Sequence, residues 1–126
     1  MITFRPKKYV QKDLTQDAID YLTSKGVRPN IITAEEADEA SKVNSRSMVI
    51  RRFWQNETGK ICIEVQDKEG YRYTQKLFED IYKMDITKID KEHRILQAET
   101  DYLGKTLEMI SILGRKYNLS IVSSND

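Results

Sequence analysis

Two tetrapeptides eleven residues apart, Asn56-Glu57-Thr58-Gly59 and Asp67-Lys68-Glu69-Gly70, constrain this chain more than any other feature. Each opens on a side chain that can fold back on its own backbone and closes on a glycine. A type I turn followed by a left-handed residue needs that pattern. The segments around them, near 48–55, 60–66 and 71–77, alternate β-branched or aromatic residues with polar ones and read as strands. The expectation is a three-stranded antiparallel meander over about 48–77. With three-residue loops the register places Phe53 beside Ile63, Arg51 beside Val65, and Val65 beside Tyr73. The first of these pairs is good and the second awkward. One face then collects Ile61, Ile63, Val65, Tyr71, Tyr73 and Leu77, and the other Ile50, Arg52, Trp54, Cys62, Glu64, Gln66, Arg72, Thr74 and Lys76.

Helical signals flank the meander. Asp13 reads as an N-cap with Gln16 three residues on, and Leu14, Ala18, Tyr21 and Leu22 recur at helical spacing until Gly26 offers a stop. Thr33 with Glu36 forms a capping box, and Ile32 with Ala37 a hydrophobic staple, so a second helix should start at Ala34 and bury Ala37, Ala40 and Val43. After Phe78, Ile81 and Tyr82, a cap at Thr87 or Asp90 opens a long helical pattern to about Tyr117, carrying Leu96, Leu103, Leu107 and Ile110. Residues 1–12 read as a short strand or arm, Leu119–Ser123 as a last strand, and 124–126 as a frayed tail. The fold class expected is α+β: a small antiparallel sheet, with further strands at the termini, packed on two N-terminal helices and one long C-terminal helix, all within a single domain spanning 1–126. The expected core contains Leu22, Phe53, Ile61, Ile63, Val65, Tyr73, Leu103, Leu107 and Ile110.

Composition narrows the functional classes. Twenty-one Lys and Arg oppose twenty Asp and Glu, so nucleic acid or an anionic membrane could be held only by a local patch. The one cysteine forms no internal disulfide, no signal-peptide pattern opens the chain, and the apolar runs are far too short to span a bilayer. The expected compartment is the cytoplasm. The chain lacks a P-loop, a dinucleotide fingerprint, a Cys-x-x-Cys pair and a His-Glu-x-x-His motif. Its single histidine, His93, reads as a solvated residue early in the last helix, and Cys62 as a small half-buried one between Trp54 and Lys76. Glu35, Glu36, Asp38 and Glu39 suit a helix start, where they favour its dipole. No catalytic, metal or cofactor residue is expected.

Two surfaces remain. The outer sheet face, with Arg52, Trp54, Arg72 and Lys76, could grip phosphate and stack on a base, or anchor a protein partner. The last helix repeats Ile89, Leu96, Leu103, Ile110 and Tyr117 at a spacing of seven, which suggests a homodimer seam over 89–117. The Thr33-Ala34-Glu35-Glu36-Ala37 opening is similar to those of small accessory proteins of tailed phages, a likeness of five residues that the capping box also explains. The functional expectation is a non-enzymatic accessory or regulatory protein, of a phage or mobile element on that likeness, that binds another macromolecule, foremost a protein. A nucleic-acid-binding module is the second reading, and a small hydrolase or transferase the third.

Overall fold

The computed structural model describes residues 10–43, 47–67 and 71–123. Among them, seven strands form one mixed sheet: β1 (Lys12–Asp13), β2 (Asn30–Ile32), β3 (Ser47–Gln55), β4 (Ile61–Asp67), β5 (Asp85–Asp90), β6 (Ile95–Thr100) and β7 (Asn118–Val122). The strand order is β2-β7-β3-β4-β6-β5, with β1 beside the far half of β3. β2, β7 and β3 run parallel, and the remaining pairs are antiparallel. The helices are α1 (Thr15–Ser24), α2 (Ala34–Val43), α3 (Tyr71–Lys76), which continues as a π turn (Leu77–Ile81), and α4 (Leu103–Lys116).

The β3–β4 hairpin forms as its turn chemistry predicts. Asn56 Oδ1 accepts the backbone N–H groups of Thr58 and Lys60, both at 3.0 Å, and Gly59 takes φ +85°. Phe53 pairs with Ile63. The awkward neighbour of Val65 is removed by a bulge between Ile50 and Arg52, which brings Ile50 opposite Val65. The extra residue restores the phase, so Met48, Ile50 and Phe53 all join the core while Arg52 faces away from it. Arg51, freed from the pairing, reaches Asp38 on α2 at 2.8 Å and Gln66 at 2.9 Å.

The third strand of the meander is a correction. Residues 71–81 are helical, and β4 takes β6 as its second neighbour, with Ile63 opposite Ala98 and Val65 opposite Leu96. On a helix, Thr74, Leu77 and Phe78 turn inward together, whereas a strand would have put Leu77 and Phe78 on opposite faces. Tyr73, expected in the core, is 40 % exposed. The second Gly-closed turn lies outside the described residues at 68–70, as do residues 1–9, 124–126 and the side chains of Ala40 and Val43.

The long helix over 89–117 is corrected in the same way. Its first half is the β5–β6 hairpin, which buries Leu96, Ala98 and Thr100 by strict alternation, and only Leu103–Lys116 is helical. The spacing of seven therefore crosses two strands and a helix and forms no dimer seam. Leu103 and Leu107 are half-buried, while Met109, Ile110 and Leu113 are buried.

Caps explain where the first helices begin and end. Thr33 Oγ1 accepts the Glu36 N–H at 3.1 Å and Glu36 returns the bond to the Thr33 N–H at 3.2 Å, which completes the capping box. α1 stops at Gly26, φ +77°, where Val27 N–H reaches the Leu22 carbonyl at 2.9 Å and Gly26 N–H the Thr23 carbonyl at 3.1 Å. At its start the expected Asp13 cap is displaced. Leu14 takes the cap position, and Asp13 accepts the Thr15 hydroxyl at 2.8 Å instead.

α1, α4 and the α3–π segment cover one face of the sheet, where Leu22, Phe78, Met109, Ile110 and Leu113 join Phe53, Ile63, Val65, Leu96 and Ile121 in one cluster. Ala37 of α2 and Val49 are buried outside that cluster, on the opposite face. The two parallel crossovers, β2-α2-β3 and β6-α4-β7, step across the sheet in opposite directions. A shared handedness requires their helices to lie on opposite faces, as these do.

The two glycines of α4 predict effects of opposite sign. A Cβ on Gly114 would meet Val27 Cγ1 at 2.7 Å and Leu119 Cδ2 at 3.3 Å, so Gly114→Ala should lose about 1–3 kcal/mol through overpacking. Nothing lies within 4 Å of a Cβ on Gly104, and Gly104→Ala should gain up to about 1 kcal/mol of helix propensity. Urea titrations of the two variants check both signs.

Candidate functional site

The residues that drew attention in the sequence separate in space. Arg52 and Trp54 stay together on the outer face of β3, with the Arg52 guanidinium 4.0 Å from the Trp54 ring centre. Trp54 is only 6 % exposed, so its indole is packed away and presents no stacking surface. Arg72 and Lys76 are exposed on α3, on the opposite side of the sheet. The expected four-residue face is not assembled, because the strand that would have carried Arg72 and Lys76 is a helix.

Cys62 lies between Trp54 and Glu99, not Lys76, and is buried. Burial, with the Glu99 carboxylate adding to it, pushes the thiol pKa up, so it is held protonated and poorly nucleophilic. His93 sits in the β5–β6 turn. Its Nδ1 is 2.9 Å from Asp90 Oδ2, and its backbone N–H donates to Asp90 Oδ1 at 3.1 Å. The carboxylate raises the imidazole pKa, and the pair closes an exposed turn that has no glycine. Arg94 there takes the left-handed φ of 57°. Among the described residues no cluster of three His, Cys, Asp or Glu side chains could hold a metal ion, and no helix is long and apolar enough to cross a membrane.

The surface with distinctive chemistry is α3 and its π turn. The segment is anchored from beneath by Phe78 and Leu77 and by a buried polar cluster. Asp67, at the end of β4 and 1 % exposed, accepts the hydroxyl of fully buried Thr74 at 2.6 Å. The Tyr117 hydroxyl, beyond the end of α4, hydrogen-bonds to the same two groups. The far end is closed by local backbone bonds wider than the α-helical spacing, Tyr82 N–H to the Leu77 carbonyl at 3.1 Å and Met84 N–H to the Phe78 carbonyl at 2.8 Å, with Lys83 left-handed at φ 53°.

With one side fixed in this way, the other side faces water. Tyr73, Lys76, Leu77, Asp80 and Ile81 line a groove of about 320 Å³ whose surface is mostly apolar. Ile81 is 66 % exposed, and the Lys116 ammonium of α4 lies 3.4 Å from the centre of the Tyr73 ring. Of these residues only Lys76 is a binding candidate in the sequence, where Tyr73 and Leu77 are expected on the inward face of the sheet. The spacing Tyr73, Leu77, Ile81 is a helical stripe, but the strand alternation of the same segment conceals it.

Burial and the nearby Asp67 carboxylate push Tyr117 from its ordinary value near 10 up to about 12. The sign follows: its contribution to stability is complete below about pH 10 and is lost as pH rises through about 12, because the unfolded chain gives up its proton first. Tyr117→Phe cannot ionise. The difference in urea midpoint between the two proteins should therefore shrink across that window.

Comparison with protein-family models, with curated proteins and with solved structures finds no match to this chain. The functional reading rests on the geometry alone.

Proposed function

We propose that this protein is a non-enzymatic accessory or regulatory protein that works by binding other protein chains, and that its binding surface is the groove along α3 and the π turn. One observation carries the reading: Tyr73 and Ile81, 40 % and 66 % exposed, flank Leu77 in a single apolar groove with a charge on its rim at Lys76 and at Asp80. An aromatic and an aliphatic anchor beside a polar rim are what protein interfaces use. Cys62 is buried with its thiol directed at the Lys60 carbonyl, and His93 and Asp90 pair in an exposed turn, so neither residue lends support to the enzyme reading. The nucleic-acid reading needed Arg52, Trp54, Arg72 and Lys76 on one face, and they lie on two.

A pull-down from host extract treated with nuclease tests the proposal, with wild-type protein, Ile81→Asp and Arg52→Ala as baits. The expected result is a protein retained by wild type and Arg52→Ala and reduced at least about tenfold on Ile81→Asp, the loss typical of a central anchor. Equal retention by all three baits would remove the groove from consideration. Retention that vanishes with nuclease would instead favour nucleic acid.

A further inference from the structure

The groove is unevenly charged along its length. At its Tyr73 end the Lys116 ammonium stands 3.4 Å from that ring centre and 5.9 Å from the ring centre of Tyr117. Arg72 and Lys76, one turn apart on α3, are exposed on either side of Tyr73 in the sequence. Among the described residues none of these three cations has a carboxylate within ion-pair distance. The carboxylate of Asp67, beneath α3, is buried and accepts the hydroxyls of Thr74 and Tyr117. Lys76 and Asp80 stand at an ordinary helical spacing for a charged pair, so these two alone specify nothing. Lys116 is different, because it belongs to another element and is held at the end of the groove by an aromatic ring. Toward Ile81 the lining is apolar, with Asp80 as its one carboxylate.

From this asymmetry we propose that the groove takes a linear acidic and apolar segment of a partner protein. An Asp or Glu side chain of the partner meets Lys116 and Lys76 at the Tyr73 end, and a large aliphatic or aromatic side chain packs beside Ile81. The proposal rests on the reading of the groove as an interface and names the chemistry of its occupant. Tyr73 and Ile81 are separated by about two helical turns, roughly 12 Å. The acidic and apolar groups of the partner must be the same distance apart, about two turns on a helix or about four residues in an extended chain. A nucleic acid fits less well. Its backbone would run from the cations onto Asp80, Lys116 already covers one face of the Tyr73 ring, and the lining offers little polar surface.

A displayed library of random peptides of about twelve residues, long enough for either separation, tests this when selected on the purified full chain and counter-selected on Ile81→Asp. The binders recovered should pair a large apolar residue with Asp or Glu at least about tenfold more often than with Lys or Arg. A fluorescein-labelled binder should lose affinity about three- to tenfold on Lys116→Gln and on Arg72→Gln, more than about tenfold on Ile81→Asp, and nothing on Arg52→Ala. Added salt should weaken it. All four side chains are exposed, and unchanged circular dichroism and thermal midpoints would confirm that the variants fold. Binders lost on Ile81→Asp but without acidic preference would overturn the acidic partner and leave the interface standing. A library that yields no binder sensitive to Ile81→Asp overturns both. A labelled single-stranded oligonucleotide that binds more tightly than the best peptide, and is lost on Lys116→Gln, would assign the cations to nucleic acid and overturn the proposal as well.

Discussion

Ile63→Ala is expected to lower the free energy of unfolding by about 2–5 kcal/mol, among the largest effects a single truncation can have in this protein. Ile63 is fully buried near the middle of β4, with Phe53 opposite it on β3 and Ala98 opposite it on β6. One of those neighbours is already small, and the backbone on both sides is fixed by the sheet, so the site cannot collapse around the lost atoms. The cavity would remain and add its own cost to the lost transfer energy. Ile89→Ala on edge strand β5, where the side chain is 44 % exposed, serves as the control and should change stability far less. Equal urea midpoints for the two variants would show that the core is not centred on β4.

The second large effect is expected at Asp67. Removing its carboxylate in Asp67→Ala leaves the hydroxyl of fully buried Thr74 without its acceptor, at about 1–3 kcal/mol for a buried donor, and takes one of two partners from half-buried Tyr117. Asp67→Asn keeps an acceptor in place and should cost less. The loss should be local as well as global: backbone amides of α3 should exchange with solvent faster than those of α1, because the cluster ties α3 to the sheet. Uniform exchange across both helices would argue that Phe78 and Leu77 hold the segment unaided. Since the groove lies on α3, Asp67→Ala should also weaken whatever binds there, although no atom of Asp67 lines it.

The parts of the fold legible in the sequence are those with local chemistry. The capping box at Thr33 and Glu36, the glycine stop at Gly26 and the Asn56–Gly59 turn each contain their own hydrogen-bond partners within a few residues. They read correctly. Residues 71–81 were ambiguous because they satisfy two periods: Tyr73, Gln75 and Leu77 suit a strand, while Thr74, Leu77 and Phe78 suit a helix. The choice was made by a competitor elsewhere, since β6 offers Leu96, Ala98 and Thr100 to the same edge of β4. That strand was hidden in turn, because its hairpin turn at Lys91–Arg94 has no Gly, Pro or Asn. Arg94 takes the left-handed conformation that those residues usually mark. The candidate site went astray with the third strand. Arg52 and Trp54 were paired correctly with Glu64 and Cys62, but Arg72 and Lys76 moved to the other side of the sheet.

The position of β7 bears on how the chain reaches this structure. β2 and β3 are parallel strands joined through α2, yet they do not touch; the slot between them is filled by residues 118–122, so that Ile31 pairs with Ile121 and Val49 with Ser120. Until that segment arrives, β2 has no strand beside it and the first half of β3 keeps an open edge. The β3–β4 and β5–β6 hairpins can form early from near neighbours, whereas inserting β7 closes a loop of most of the chain length. Such closure is slow in proportion to its sequence separation. The rate-limiting step of folding is therefore expected to be the entry of β7. Its transition state should have formed β3 and β4 and left β2 unpaired, with an open parallel slot vulnerable to strands of neighbouring molecules.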